Sequence, residues 1–360
     1  MASYKDSYKY TDEELDDLIK KYCTDFTQNV RNDMYDPITG RDREIKEMVL
    51  ILLQKGRKNV MLQAPAGVGK TAMCVGLAQQ IVAGTVPDLL KNARLLELDL
   101  ASMAAGTAGM SEFQGRFVPV LKGVGERARD PDYPLIILFI DEVHQIMPSC
   151  EGSSYKGLSE VMKPYLTSGA LNVVGATTKD EYRLYIAVDP AMDRRFQKVD
   201  LSVPTADDTF NILINLRRNF IKHHKIEISD LALRVLIHMT EEYMRKRNQP
   251  DKSIMTMDSA CAWHVMNHGS DNQELSLDSI YKIIERETGI HVDALSISQE
   301  KLDEYTAMNE AATKKREEAE AKAEAGDGSA TDASEDVSEA TPEKDTSSVT
   351  PEASEEAPKE

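Results

Sequence analysis

The sequence predicts an α/β fold: a parallel sheet with helices on both faces, followed by a small all-α domain. Three observations predict it. Between residue 41 and about 203, short apolar runs alternate with amphipathic stretches, the pattern of buried parallel strands joined by crossover helices. A glycine-rich stretch, "APAGVGKT" (64–71), lies between one such run and an amphipathic helix, which is where a phosphate-binding loop belongs. From 205 to about 297 the apolar spacing turns purely helical.

Residues 1–36 are polar and charged, with helical stretches such as "DEELDDLIKKY", and read as an N-terminal helical or linker segment. Residues 37–204 read as a nucleotide-binding α/β domain. Its candidate strands are "NVMLQ" (59–63), "ARLLELDL" (93–100), "LIILFID" (135–141) and "LNVVGATT" (171–178). Residues 205–304 read as a helical lid and linker, built from "TFNILINLRRNFIKHH", "DLALRVLIHMTEEYMRKR", "SIMTMDSACAWHVMNH" and "SLDSIYKIIERETG". Trp263, Met255, Met257 and Met266 read as core of that lid. Residues 305–360 form an acidic tail. Its start, "MNEAATKKREEAEAKAEA", has helical composition. The rest has almost no apolar residue larger than alanine, so it is predicted to be disordered.

The formal net charge is −18, and residues 311–360 hold 15 acidic and 6 basic side chains, half of the excess. The remaining body is only mildly acidic, which argues against a nucleic-acid partner. The first residues lack the apolar core of a signal peptide. The longest apolar run, 135–140, is too short to cross a bilayer. The four cysteines are widely spaced without a CxxC, as expected of free thiols in a reducing compartment. A cytoplasmic protein without a membrane partner is predicted. The histidines show no metal-ligand spacing and read as structural.

The chemistry concentrates in four places. In the first, the loop Ala64, Pro65, Ala66, Gly67, Val68 and Gly69 can wrap phosphate oxygens with backbone N–H groups. Lys70 then reaches the outer phosphates of ATP and Thr71 binds Mg²⁺. The usual pattern opens with Gly, and Ala64 stands there. If that position needs positive φ, alanine costs about 1–2 kcal/mol. In the second, the strand 135–140 ends in adjacent carboxylates: Asp141 to hold Mg²⁺ and Glu142 to polarise the attacking water. In the third, Thr178 ends another apolar strand, where a doubly wound sheet has its ligand crevice. It can sense the γ-phosphate or simply cap a helix. In the fourth, Arg194 and Arg195 in "DPAMDRRFQ" can stabilise transition-state charge or form surface ion pairs.

These stretches, in this order, resemble the first ATPase module of Clp-type AAA+ unfoldases of the ClpA, ClpB and ClpC kind, from about Lys20 to Leu302. "DPITGRDREI" (36–45) is similar to the family's entry motif, "LFIDEVH" to Walker B, and "VVGATTKDEYRLYIAVDPAMDRRFQKVDL" to the first sensor strand and arginine-finger segment. "HHKIEISDLAL" and "QPDKSI" match the lid. The resemblance implies an ATP hydrolase that associates into a hexameric ring and acts on protein substrates. It implies adenine contacts at Ile38 and Gly40, trans-acting fingers at Arg194 and Arg195, and a second sensor at Lys252, which otherwise reads as a surface charge.

The resemblance also assigns "AAGTAGMSEFQGRF" (104–117) to the pore loop. The family's Lys-Tyr-Arg-Gly run is replaced here by Ala108, Gly109, Met110 and Ser111. The gripping tyrosine is missing: Gly109 has no side chain to grip with, and Met110 is displaced by one position. No substrate-receiving domain, second module or peptidase-docking loop is expected from the sequence. Two functions follow: an ATP-driven remodeller of proteins, or a nucleotide-dependent assembly subunit that does not thread substrate and co-assembles with a full-length relative.

Overall fold

The computed structural model describes residues 9–269 and 273–327, with side chains described up to residue 314. The acidic stretch expected to be disordered lies outside the described residues. The chain divides into two units, Met1–Ala307 and Met308–Glu360. In the second, the helix ending at Asp327 is the described structure.

The chain opens with α1 (Asp12–Tyr22), started by a Thr11/Glu14 capping box. Its Leu15, Ile19 and Tyr22 share one buried face. Then come β1 (Cys23–Asp25), α2 (Phe26–Arg31) and α3 (Asp42–Leu52). The sheet proper follows as β2 (Asn59–Gln63), α4 (Lys70–Val82), β3 (Arg94–Leu98), α5 (Leu100–Ala104), α6 (Met110–Arg127) and β4 (Ile136–Ile140). It continues with α7 (Leu158–Ser168), β5 (Asn172–Thr177), α8 (Lys179–Glu181), α9 (Pro190–Asp193) and β6 (Phe196–Asp200). The six strands run in the order β1-β3-β4-β5-β2-β6. All neighbours pair in parallel except β1, which pairs antiparallel with β3. β2, β4 and β5 are buried along their whole length, as strands covered on both faces must be.

Alternate residues feed two cores. Leu138, Leu96 and Val173 pack with α1, α6 and α7, including Phe113 and Phe117. Their strand neighbours Phe139, Leu95 and Val174 pack with α2, α3 and α4. This is the period of two expected of strands. A third core belongs to α10 (Ala206–His224), α11 (Asp230–Tyr243), α12 (Asp251–His268) and α13 (Leu277–Thr288). The long α14 spans Gln299–Asp327.

All four expected strands are present. β1 and β6 are additional: β1 has three residues, too few for a period to show, and β6 lies inside the stretch read for its arginines. The N-terminal segment is no loose linker. Leu15 is fully buried, and a Cβ added at Gly123 of α6 would stand 2.6 Å from its Cδ1. Met257 lies in the lid core as expected, but Met255 and Met266 are exposed at 49% and 70%. They sit on the solvent side of α12, whose sequence is apolar over more of its circumference than its neighbours cover.

Candidate functional site

The loop between β2 and α4 turns on two glycines in the left-handed region, Gly67 (φ +77°) and Gly69 (φ +100°). Ala64 is not in that region. It is fully buried, and its N–H bonds the Thr177 carbonyl at 3.2 Å, prolonging the β2–β5 ladder. The strain expected for alanine at this position is therefore absent. Pro65 and Ala66 are exposed, Val68 is buried, and Thr71 is exposed on the first turn of α4. Lys70 Nζ donates to the carbonyls of Ala64 and Pro65 at 3.3 and 3.4 Å. The ammonium thus lies across the mouth of its own loop.

Beyond the intervening β5, β4 ends in Asp141 and Glu142 on the same edge of the sheet. Glu142 has φ +46°, a left-handed conformation rare for a side-chain-bearing residue. Its N–H bonds Asp141 Oδ1 at 2.9 Å, and its carboxylate accepts from Gln145 Nε2. Glu97, at the end of β3, is held above the ordinary carboxylate range by burial, then by the charges of Asp141 and Asp99.

Thr178 caps α8: its hydroxyl accepts from the Glu181 N–H and donates to Glu181 Oε2. Of the two readings open for Thr178, the geometry realises the cap. The buried His144 Nδ1 lies 3.1 Å from Thr177 Oγ1 and 3.4 Å from Glu181 Oε2. The end of β5 is thereby tied to the turn that carries Glu142. Burial works against the Glu181 carboxylate, but bonds from Thr178 and the charge of His144 hold its pKa below the ordinary range.

The entry motif and the lid close on the same loop. The Ile38 N–H bonds Gln79 Oε1 at 3.0 Å. The Ile38 side chain crowds Gly76 of α4, where an added Cβ would meet its Cγ2 at 3.3 Å. Gly40 takes φ +75° to turn the chain into α3. Arg41 reaches the Val68 carbonyl. From the lid, Asn248 Nδ2 donates to the Ala66 carbonyl at 3.0 Å, and the Asp251 N–H lies 3.4 Å from the Gly67 carbonyl. Lys252 is 6% exposed, which removes its reading as a surface charge. Sequence reasoning quoted the stretches that hold Arg41 and Asp251 without giving them a role, and passed over Asn248, which falls between two quoted stretches. Their signal is the loop carbonyls they reach, which a sequence does not display.

The arginine pair divides. Arg194 is exposed, and its side chain makes no hydrogen bond or ion pair among the described residues. Arg195 donates to the Ala191 carbonyl and to Thr167 Oγ1, so its guanidinium fastens α9 to α7. Nearby, Asp189 caps α9 and pairs with Lys163 at 2.7 Å. In the 104–117 stretch, Gly109 is exposed in an extended conformation. Met110, assigned to the pore loop but displaced by one position from the family's tyrosine, is half-buried against the core cluster around Phe113. The loop is pinned from behind, since Arg116 Nη1 donates to the carbonyls of Met103 and Ala105 at 3.0 and 2.6 Å.

The family model for the ATPase family associated with various cellular activities (AAA) matches residues 60–202, and that for the AAA lid domain matches 205–345. The ClpB chaperone protein of Propionibacterium freudenreichii subsp. shermanii is 40% identical over 270 residues, covering 75% of this chain and 30% of that protein. ClpB 1 of Synechocystis sp. is 40% identical over 252 residues, covering 69% and 28%. Among solved structures, a closed-state Hsp104 with ATPγS and FITC-casein has TM-score 0.68 at 35% identity, covering 78% of this chain and 48% of that one. The S. cerevisiae Hsp104–ADP complex has TM-score 0.69 at 31% identity, covering 82% and 52%. The chain spans about three-tenths of the length of these curated relatives and about half of these solved chains. Fold and site thus define an ATPase of the AAA class, a nucleotide-binding sheet with its lid. Within that class, the chain belongs to the Clp-type AAA+ family. No helix among the described residues is long and apolar enough to cross a membrane.

Proposed function

We propose that this chain uses ATP, with Mg²⁺, to remodel protein substrates as a subunit of a hexameric ring. The observation that carries this reading is the convergence of three segments on one loop. β4 runs parallel to β2 with β5 between them, so Asp141 and Glu142 leave the same edge of the sheet as residues 64–71, while the lid's Asn248 and Asp251 engage that loop's carbonyls. Ring assembly and protein substrates draw support from the likeness to Hsp104, solved with casein.

In this reading the loop amides hold the phosphates, and Lys70 exchanges its bonds to the Ala64 and Pro65 carbonyls for the outer phosphates. Ile38 and Gly40 border the base. Thr71 and Asp141 are the Mg²⁺ ligands, a donor set of one hydroxyl and one carboxylate suited to that hard cation. Glu142 polarises the attacking water. Lys252 faces the nucleotide from the lid. Arg194 reaches a neighbouring subunit's nucleotide, a role its lack of partners leaves it free to take. Arg195 positions the segment that presents it. The compartment proposed is the cytoplasm, in keeping with four free cysteines.

The test is ATP hydrolysis by purified protein with and without an unfolded substrate. Glu142→Gln is expected to keep nucleotide binding and lose hydrolysis by at least about a hundredfold. Equal turnover in both proteins would overturn the assignment. One observation favours a second reading. Gly109 offers no side chain and Met110 faces its own core, as expected of a nucleotide-dependent assembly subunit that co-assembles with a full-length relative and does not thread substrate. Unfolding of a tagged model protein by this chain alone would exclude it.

A further inference from the structure

We propose that Arg41 is a positioning residue that couples the phosphate-binding loop to the connector entering the lid. The proposal requires nucleotide binding but not protein remodelling. Arg41 is 8% exposed. Its Nη2 donates to two carbonyls at once, Val68 at 3.2 Å and Ser202 at 3.1 Å, and its Nη1 pairs with Glu44 at 3.1 Å. These acceptors belong to three different segments. Val68 lies between the two left-handed glycines of the loop. Ser202 lies in the connector between β6 and α10, which carries the chain from the sheet into the helical domain. Glu44 is in the first turn of α3.

The connector has one other anchor to the nucleotide strand. The Leu201 N–H bonds the Gln63 carbonyl at 2.9 Å, at the point where β2 runs into the loop. Beyond it, Thr205 caps α10. Both ends of the loop's middle stretch are therefore tied, directly or through Arg41, to the residues that join the sheet to the lid. Nη2 offers one N–H to each carbonyl, and the guanidinium is a rigid plane, so a shift of the Val68 carbonyl that draws the group with it displaces the donor at Ser202. Lysine cannot reproduce this. Its ammonium lacks the planar fork that serves Glu44 and two carbonyls together.

Amide exchange of the full chain with and without saturating ADP tests the coupling. In the wild type, ADP is expected to slow exchange at residues 201–205 about tenfold, the effect of steadying one hydrogen bond. Arg41→Lys is expected to lose that slowing, while keeping the slowing at residues 69–73 and a nucleotide-free melting temperature within a few degrees of wild type. If Arg41→Lys does not fold, a double variant, Arg41→Met with Glu44→Leu, takes its place by removing both partners of the half-buried pair together. Unchanged 201–205 exchange in the wild type on ADP binding overturns the proposal, as does full slowing in the variant. Absent slowing at 69–73 in the wild type would instead count against the nucleotide site itself.

Discussion

Ala64 stands where a phosphate-binding loop usually opens with glycine, and its backbone makes no left-handed turn there. The glycine requirement has moved to Gly67 and Gly69. Ala64→Gly is therefore expected to change ATP affinity less than about twofold. Gly69→Ala, forced to φ +100°, should weaken it roughly tenfold. Titration with a fluorescent nucleotide compares the two. Lys252 makes a second residue-scale case. Burial pushes its ammonium below the ordinary lysine range, with Glu241 pulling the other way. Its folded pKa lies below the unfolded value, so the charged form costs the fold stability at neutral pH. That cost disappears as pH rises through the ordinary lysine range. Lys252→Met is expected to raise the nucleotide-free melting temperature at pH 7, with the gain shrinking as pH rises toward about 10, the ordinary lysine value. The same variant should slow ATP turnover, which would separate the side chain's cost to stability from its use.

At the scale of elements, α1 is the least expected contributor. It fills a notch in α6: Leu15 meets Gly123, and Arg127 of α6 reaches back to Asp12 at 2.7 Å. Leu15→Ala is expected to cost about 3 kcal/mol in denaturant unfolding, far more than a substitution in a linker would. The central strands and the lid helices were legible because apolar runs and helical spacing survive in a single sequence. β1 was not, because three residues between two helices carry no period. β6 was not, because its alternation is short and its neighbours are charged. The loop and the paired carboxylates were readable from residue type and spacing. Arg41 and Asn248 were not, because they act through backbone carbonyls whose positions only the folded chain defines. Thr178 kept two readings open, since a threonine at a strand exit looks the same as sensor or as cap.

For the whole molecule, the division of the arginine pair makes a claim about assembly. Arg194 is free at the surface, while Arg195 is engaged with α7 and α9. Arg194→Ala is expected to leave the melting temperature unchanged and to reduce turnover only at concentrations where subunits associate. Arg195→Ala should lower the melting temperature at any concentration. Mass measurement with a non-hydrolysable ATP analogue, alongside turnover at several protein concentrations, checks both. Concentration-independent loss in Arg194→Ala would place its effect within one subunit.

The clasp of Arg116 on the carbonyls of Met103 and Ala105 bears on how the 104–109 turn meets anything at all. A segment already fastened has little freedom left to surrender on contact, so docking there carries a small entropic penalty. It equally forfeits the ability to reshape itself around differing sequences. Contact at this turn should therefore discriminate by outline: a partner that fits the turn as it stands gains from its rigidity, and one that does not finds no accommodation.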